Sequence, residues 1–496
     1  MRIKGFILLN TIVFSAIAIT LVVAFVGWAG ASLKSAANLV KREQAFAIAE
    51  AGIDYYRWHL AHATNDYQDG TGQPGPYVHA FNDKDGNQIG TFTLTITPPP
   101  IGSTLVIIES KGTLISDPNI SRTVVTHLAI PSWARFALVT NADTRFIEGA
   151  EFFGPVHSNG GIRFDALAHN LVTSGKASYI DTSHPGTTQE FGVHTHVKPP
   201  PQNGISGGNY VAAEAPPSVM ENRPDVFIAG RQFPVPQVDF VGITSNLAAF
   251  KTDAQTSGYY FAASGALGYH IVLKTDDTFD IYRVNSLAPV PRNSCKNISN
   301  QNGWGTWSIN PSAGGQTLIG NFPNPMNGLI FTEDDVWVDG TVNSARLTIA
   351  AAKFPDNPST RKNIIINHSI NYTNFDGQDV VGLIAQNNAI IGLFADEELV
   401  INAALIAQNG NLIRYNYPGP GNGNGSAQCS PNDVLTSFNS YGMIGSNLQG
   451  VLSYSNDASG FLSRTYTYDA NLLYSPPPSF PRTSDKYSTI FWQELQ

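Results

Sequence analysis

Residues 1–30 read MRIKGFILLNTIVFSAIAITLVVAFVGWAG, and this stretch decides how the rest of the chain is carried. Arg2 and Lys4 precede Gly5, and residues 6–30 then contain no charged side chain. About 20 helical residues, at about 1.5 Å each, cross the hydrocarbon core of a membrane. The apolar core of a cleaved secretory signal is shorter, about 7–15 residues. The sequence therefore predicts a transmembrane helix over residues 6–30.

The charges before this segment predict its orientation. Arg2 and Lys4 lie on its N-terminal side, and basic residues that flank a transmembrane helix stay on the cytoplasmic side of the membrane. We therefore expect a single-pass protein whose C-terminal part lies outside the cytoplasm.

The junction at residues 4–6 resembles the class III signal of type IV pilin-like proteins. In that family a prepilin peptidase cuts after a glycine, here Gly5, and methylates the new N-terminal phenylalanine, here Phe6. The apolar segment follows the cut, as it does in this chain. The resemblance implies a prepilin leader over residues 1–5, processing by a prepilin peptidase, and anchoring in the inner membrane of a bacterial cell. It also implies assembly with other pilin-like subunits into a cell-surface filament.

One position departs from the pattern of major pilins. The fifth residue of the mature chain is usually glutamate in that family, and here it is Asn10. A carboxylate in lipid is costly and is kept for a partner, which in pilins is the free N-terminus of the neighbouring subunit. Its absence resembles the tip subunits of type II secretion pseudopili. Asn10 is thus a filament-packing position that favours a tip or assembly-initiating subunit.

The helix is expected to continue past the membrane. Residues 31–62 contain no proline, and residues 44–53 resemble the same region of minor pilins. Apolar residues recur there at a spacing of three and four, which predicts one apolar stripe. The stripe comprises Ala36, Leu39, Val40, Phe46, Ala49, Ile53, Tyr56 and Leu60. Alternating apolar segments between residues 90 and 130 predict antiparallel strands. We therefore expect a pilin-like helix and antiparallel sheet over residues 31–131.

The remainder of the chain repeats itself. Residues 383–387 read LIAQN, residues 405–409 read LIAQN again, and weaker copies occur at 443–450 and 155–162. A repeat period of about 20 residues is typical of solenoids, and short strands cornered by Asn and Gly favour a β-solenoid. The sequence predicts a β-solenoid domain over residues 132–496, with a non-repeating insertion at about 165–325.

The fold class expected from these patterns is mainly β with one long N-terminal helix: a pilin-like α+β unit followed by a β-solenoid. The corner sequences and the segment 468–478 resemble those of large minor-pilin-like proteins.

The composition excludes one class of partner and leaves one question open. The formal net charge is −9 and charged residues make up 14% of the chain, with no basic stripe after Lys4. We therefore expect no nucleic-acid partner. Cys295 and Cys429 are far apart, and the sequence does not establish whether they pair.

Candidate catalytic and metal-binding motifs are weak, so we expect no catalytic residue, metal or cofactor. Residues 204–208 match the pattern of a nucleophile elbow but lie in a Pro/Gly-rich loop, whereas that motif needs a strand and a helix. His194 and His196 can supply two zinc ligands from alternate positions of a strand, but no third is marked. We expect these two residues and His184 to be exposed loop histidines.

Two carboxylate-containing motifs are also more simply explained by structure. Residues 83–87 have oxygen ligands at alternate positions, as a calcium loop would, but a hairpin turn is expected there. The acidic groups at 333–335 and 396–398 are expected to be solvated corners of the repeats.

Two functions from different classes remain. The first is a minor pilin or pseudopilin-like subunit that contributes to assembly, tip or adhesion of a type IV pilus-like filament, with a surface ligand for its head. The second is a membrane-anchored β-helix enzyme or lectin that acts on surface polysaccharide. Three or more acidic side chains converging on one groove beside an aromatic platform would favour the second.

Overall fold

The chain divides into two compact units. The computed structural model describes residues 4–99, 103–207, 209–240, 242–420, 429–454, 459–482, 484 and 486–495. The first unit comprises Met1–Pro99, Leu105–Ala129 and Lys486–Gln496, and the second comprises Pro100–Thr104 and Ile130–Asp485. The prediction that residues 132–496 form one domain is therefore wrong at its C-terminal end. Residues Ser488–Leu495 form a strand of the first unit. They pair with Ser121–Ala129, which would otherwise be an unpaired edge strand of that sheet.

A single helix, α1 Lys4–His62, dominates the first unit. The predicted apolar stripe is buried only in its C-terminal half, where Ala49, Ile53, Tyr56 and Leu60 lose nearly all contact with solvent. Ala36, Leu39 and Val40 are exposed, because the sheet packs on the apolar side of α1 only from about Ala45 onward.

The C-terminal half of α1 packs on a five-stranded antiparallel sheet. The strands are β1 Tyr77–Asn82, β2 Gln88–Thr97, β3 Val106–Leu114, β4 Ser121–Ala129 and, from the end of the chain, β32 Ser488–Leu495, in that order across the sheet. Side chains on β3 alternate between buried and more exposed positions, so one face of the sheet covers the helix. The predicted helix-and-sheet unit is therefore present, with one strand that the sequence did not assign to it.

The second unit is built from short strands. They are β5 Leu138–Thr140, β6 Thr144–Phe146, β7 Ala150–Phe153, β8 Val156–Ser158, β9 Ile162–Phe164, β10 Leu167–Ala168, β11 Val172–Ser174, β12 Ser178–Tyr179, β13 Glu190–Phe191, β14 Val193–His194, β15 Arg231–Gln232, β16 Tyr259–Phe261, β17 Gly268–Leu273, β18 Thr278–Val284, β19 Gln316–Pro323, β20 Leu329–Thr332, β21 Val336–Val342, β22 Arg346–Ala351, β23 Ile364–Ile365, β24 Ile370–Tyr372, β25 Val380–Ala385, β26 Ala389–Ile391, β27 Glu398–Ala407, β28 Leu412–Arg414, β29 Val434–Ser446, β30 Ser453–Tyr454 and β31 Ser459–Tyr468. Helices α2 Ile243–Ser257 and α3 Asn471–Tyr474 and the 3₁₀ turns η1 Trp133–Arg135 and η2 Ala212–Glu214 complete it.

Parallel ladders organise these strands and bring the sequence repeats into register. Leu383 on β25 pairs with Leu405 on β27, as the repeated LIAQN segments predict. Leu405 then pairs with Ile444 on β29, Ile444 with Leu138 on β5, and Leu138 with Val156 on β8. All five side chains are buried in one apolar column. The weaker copies at 443 and 155 are therefore shifted by one residue from the alignment that the sequence suggested.

The non-repeating segment begins later than the sequence predicted. Strands β10 and β11 pair in parallel with β7 and β8, and β15 extends the ladder from β11, so these three short strands between residues 165 and 232 still belong to the ladders. These strands are only two or three residues long, which explains why they leave no visible period. Strands β17, β18 and β19 form an antiparallel meander.

The two cysteines, whose pairing the sequence does not establish, form a disulfide. Cys295 and Cys429 are bonded, at a sequence separation of 134 residues. Both are buried beside Trp337, Tyr415 and Tyr417 in a separate apolar cluster of the second unit.

Candidate functional site

The N-terminal half of α1 is the first candidate, since it presents a long apolar surface to its surroundings. Phe6, Leu9, Val23 and Trp28 each expose more than half of their surface. The helix is long and apolar enough to cross a membrane. Exposed apolar surface of this extent marks an interaction with lipid or protein.

The predicted processing and packing residues lie on this helix. The backbone of Lys4, Gly5 and Phe6 is helical, and Asn10 is exposed one turn later. Arg2, predicted to set the orientation, lies outside the described residues. The Thr11 hydroxyl donates to the Ile7 carbonyl at 2.9 Å, so this polar group is satisfied within the helix. Such self-pairing lowers the cost of placing a hydroxyl in lipid.

The second candidate is a buried cluster of histidines and carboxylates in the second unit. His184, His194 and His196 are buried, so the prediction of exposed loop histidines is wrong. The cluster also contains two buried carboxylates, Asp181 and Glu190. Ionisable side chains are almost never fully buried without partners, so a cluster of five is an unusual feature of this fold.

Short strand pairings bring these side chains together. In the β12–β13 ribbon, Tyr179 pairs with Glu190, which places Glu190 beside the turn that carries Asp181. Strand β14 pairs in parallel with β9, and His194 and His196 extend from it to the same side at alternate positions. The ligands that the sequence did not mark are therefore supplied by a turn and by a neighbouring strand.

The imidazole and carboxylate groups of the cluster lie close together. His194 Nε2 lies 3.5 Å from Asp181 Oδ2 and 3.6 Å from Glu190 Oε2. His196 Nε2 lies 3.3 Å from Glu190 Oε1. One ligand atom from each of these four residues can be chosen so that all lie within 4.8 Å of one another.

These atoms are not joined by ordinary hydrogen bonds. Within the described residues, both ring nitrogens of His194, both ring nitrogens of His196 and Glu190 Oε1 are buried without a hydrogen-bond partner. An unpaired buried polar group costs about 1–3 kcal/mol, and natively folded proteins contain few of them. Five such atoms in one place therefore require an explanation.

The residues around the cluster hold the carboxylates in position. The Ser183 backbone N–H donates to Asp181 Oδ1 and the Ser183 hydroxyl donates to Asp181 Oδ2, both at 2.8 Å. His184 Nε2 lies 2.8 Å from Glu190 Oε2, and its Nδ1 lies 3.1 Å from the Pro185 carbonyl oxygen. The His196 backbone N–H donates to Asp165 Oδ1 at 2.8 Å.

Both carboxylates of the cluster are held in the ionised form. Burial by itself would raise the pKa of Asp181, but His194 and the two Ser183 donors outweigh it and lower that pKa. Burial likewise opposes ionisation of Glu190, and its contacts with His196, His194 and His184 lower the pKa of this carboxyl below its usual value. The arrangement is thus a buried, anionic pocket faced by imidazole nitrogens.

The other sequence candidates have structural roles in the described residues. Asp83 Oδ1 accepts the backbone N–H groups of Asp85 and Asn87 at 2.9 and 2.8 Å, which is the expected hairpin turn between β1 and β2. Residues 204–207 lie in a loop, and Gly208 is outside the described residues.

The acidic corners pair with neighbouring groups of the second unit. Glu333 pairs with Lys251, Asp334 with Lys362 at 2.8 Å, and Asp396 with His368 at 2.8 Å. Each of these carboxylates thus has a basic partner, Lys251, Lys362 or His368, at its own corner.

A cavity of about 810 Å³ also opens in the second unit. Trp337, Phe394 and the pair His270–Asp339, whose Nε2 and Oδ2 atoms are 2.9 Å apart, contribute to its wall. Prolines, serines and asparagines are among the other lining residues. Asp339 is the one carboxylate among its lining residues, which is fewer than the three that would favour an enzyme or lectin acting on polysaccharide.

Comparisons with known proteins are sparse. No protein-family profile and no curated protein matches the chain. Among solved structures, the chain is similar to the crystal structure of the competence-associated pilin ComZ from Thermus thermophilus, with 14% sequence identity and a TM-score of 0.32. The match covers 92% of this chain and 97% of that chain. A TM-score this low does not carry an argument about the fold or function of this chain.

Proposed function

We propose that the chain is a minor pilin or pseudopilin-like subunit, anchored by its N-terminal helix in the inner membrane of a bacterial cell. The observation that carries the proposal is the division of α1. Its N-terminal half exposes apolar side chains such as Phe6 and Trp28, and its C-terminal half is packed on a small antiparallel sheet. A soluble helix would bury one stripe along its whole length.

The exposed half of α1 suits two environments in succession. In the membrane its apolar side chains would face lipid, and in a filament they would face the same helix of other subunits. Leu39 and Val40, which the sheet leaves exposed, would be covered in the filament as well. This accounts for apolar residues just beyond the membrane segment that the isolated chain does not bury.

The second unit would be a β-solenoid head carried on this anchor. The proposal is supported by the parallel ladders, which bring the sequence repeats into register and stack Val156, Leu138, Ile444 and Leu405 in one apolar column. Such a head is bulky, because it takes in the whole of the chain between Ile130 and Asp485. Crowding along a shaft then favours a tip or assembly-initiating position, as does Asn10 in place of a carboxylate. The head would present a surface ligand site and serve adhesion rather than catalysis.

The processing step gives the decisive experiment. The full chain would be co-expressed with a prepilin peptidase, and its N-terminus read by mass spectrometry. We expect a mature chain that begins at N-methylated Phe6. The Gly5→Ala variant should keep its leader, whereas Gly27→Ala, in the same helix with no neighbouring atom within 4 Å, should be processed normally. An intact Met1 in cells with an active peptidase would contradict the proposal.

A further inference from the structure

We propose that Asp181, Glu190, His194 and His196 bind one zinc(II) ion that cross-links the β12–β13 ribbon to β14 in the second unit. Nothing in the predicted pilin-like role requires such a site, and it stands independently of that role. The proposal rests on the donor set, its spacing, its burial and its unsatisfied atoms.

The donor set fits a transition metal of the zinc type. Two imidazoles and two carboxylates offer two nitrogen and two oxygen ligands. Calcium and magnesium take oxygen ligands almost exclusively, so the two histidines argue against them. Zinc in structural sites is bound by four such donors in a tetrahedron.

The spacing of the donors matches that geometry. Zinc bonds to histidine nitrogen and carboxylate oxygen are about 2.0–2.2 Å long, which places the donors of a regular tetrahedron about 3.3–3.6 Å apart. With Asp181 Oδ2 and Glu190 Oε1 as the carboxylate donors, His194 Nε2 lies 3.5 Å from Asp181 Oδ2 and His196 Nε2 lies 3.3 Å from Glu190 Oε1. Both separations are longer than a usual N–H···O hydrogen bond. The other Glu190 oxygen, Oε2, lies 3.6 Å from His194 Nε2 and contacts His184.

The unsatisfied atoms point to the same conclusion. The Nε2 atoms of His194 and His196 and Glu190 Oε1 lack hydrogen-bond partners within the described residues, although each is buried. A single ion at the centre of the cluster would give one bond to each of these three residues and one to Asp181. Its double positive charge would face the two carboxylates, Asp181 and Glu190.

The surrounding residues are placed as supports for the ligands. Ser183 donates twice to Asp181, and His184 contacts Glu190 Oε2. Arg163 donates to Asp165 at 2.7 Å, and Asp165 in turn accepts the backbone N–H of His196. Such contacts orient metal ligands before the ion binds. Because all four ligands are buried, the site has no open position and its role is structural.

A structural ion suits this part of the fold. Strands β12, β13 and β14 are each two residues long, so their backbone hydrogen bonds hold the loops weakly. Binding free energy at a closed site is gained only in the folded state and therefore stabilises it. The ion would add to the packing of Tyr179, Phe191 and Val193, which are buried on these strands.

The test uses the full chain in detergent, purified through a tag without histidine and treated with a chelator. Zinc(II) is then added, excess is removed, and bound metal is measured by mass spectrometry. We expect one zinc ion per chain and, with cobalt(II) instead, visible absorption of a tetrahedral site that zinc abolishes. Hydrogen exchange over residues 178–196 should slow when zinc is added. Wild-type protein that retains no zinc and shows no such absorption would overturn the proposal.

Variants locate the ion. His194→Gln should weaken zinc binding by more than about 10-fold. His157→Gln is the matched control, because His157 is also buried but bonds to Thr173 and Asn159 outside the cluster. Equal zinc binding by both variants would contradict the assignment. If circular dichroism shows that His194→Gln does not fold, the wild-type metal, cobalt and exchange measurements decide the question.

Discussion

The Nε2 atom of His196 lies 3.3 Å from the Oε1 atom of Glu190, and neither atom has a hydrogen-bond partner within the described part of the chain. Both side chains are completely buried. Leaving such groups unpaired is costly, so the folded state requires something that compensates them. The proposed zinc ion would do this, and the stability of the second unit should then depend on the metal.

Glu190→Gln should separate the effect of the metal from the effect of the fold. The charge of Glu190 is lost in this variant while its size is kept. A saturating concentration of zinc, about 100–1,000 times the dissociation constant, should stabilise the wild type by about 3–4 kcal/mol over the metal-free protein. The variant should show little of this gain. Calorimetry with zinc and with chelator measures the difference.

Glu151→Gln provides the control for this prediction. Glu151 also pairs with a histidine, His169 at 2.7 Å, but both side chains are partly exposed. This variant should respond to zinc as the wild type does. A zinc response that is equally large in Glu190→Gln would show that the stabilising ion binds elsewhere.

Gly112→Ala should disturb the contact between α1 and the sheet. A Cβ atom at Gly112 would lie 2.6 Å from the Ala49 nitrogen and closer still to the Ala45 carbonyl oxygen, so it would collide with helix backbone that cannot move aside. Overpacking of this kind costs about 1–3 kcal/mol. Hydrogen exchange of residues 106–114 should therefore become faster.

The control for the helix contact is a nearby exposed position. Lys111 lies next to Gly112 on β3 and is exposed, so Lys111→Ala should leave exchange nearly unchanged. Unaltered exchange in Gly112→Ala would mean that the helix does not approach the strand this closely in solution.

Asp335→Asn should change how stability depends on pH. Burial raises the pKa of Asp335 to about 6, although hydrogen bonds from Asn363 oppose this. Because the folded pKa is above the unfolded value, the folded state binds the proton more tightly, and wild-type stability falls as pH rises from about 4 to about 6. The variant lacks this loss, which amounts to at most about 3 kcal/mol since Asp335 is only partly buried. Denaturant titrations of both proteins across this pH range measure the difference.

Asp356→Asn should behave in the opposite sense. Hydrogen bonds from Arg361 lower the pKa of Asp356, so its contribution to stability is present above the unfolded pKa and is lost as pH falls. The advantage of the wild type over this variant should therefore shrink in acid. If the stability of the Asp335 and Asp356 variants, each relative to the wild type, changed in the same direction with pH, the pKa shifts assigned to these two carboxyl groups would be contradicted.

Local patterns predicted the elements of the fold whose partners are near in sequence. The helix α1 and the antiparallel strands β2 to β4 follow from periodicity and turn residues. The pairing of the repeats at Leu383 and Leu405 could also be predicted, because identical segments stack in register.

The position of β32 and the extent of the ladders could not be predicted in the same way. Strand β32 pairs with β4 although the second unit lies between them along the chain, and neither strand encodes that partnership in its own composition. Strands of two or three residues, such as β10 and β14, carry too few side chains to show a period. Their pairing depends on the neighbours that the rest of the fold supplies.

The sequence by itself determined the apolar N-terminal segment, the long helix, the class III signal resemblance and the repeating character of the second unit, because each depends on residues that are close together along the chain. Only the tertiary structure decided which carboxylates meet His194 and His196, since Asp181 and Glu190 reach them through strand pairing and burial. It also decided that Cys295 meets Cys429 across 134 residues. Periodicity indicates which face of a helix or strand is buried. The composition of a site also depends on which residues lie opposite that face, and long-range packing determines this.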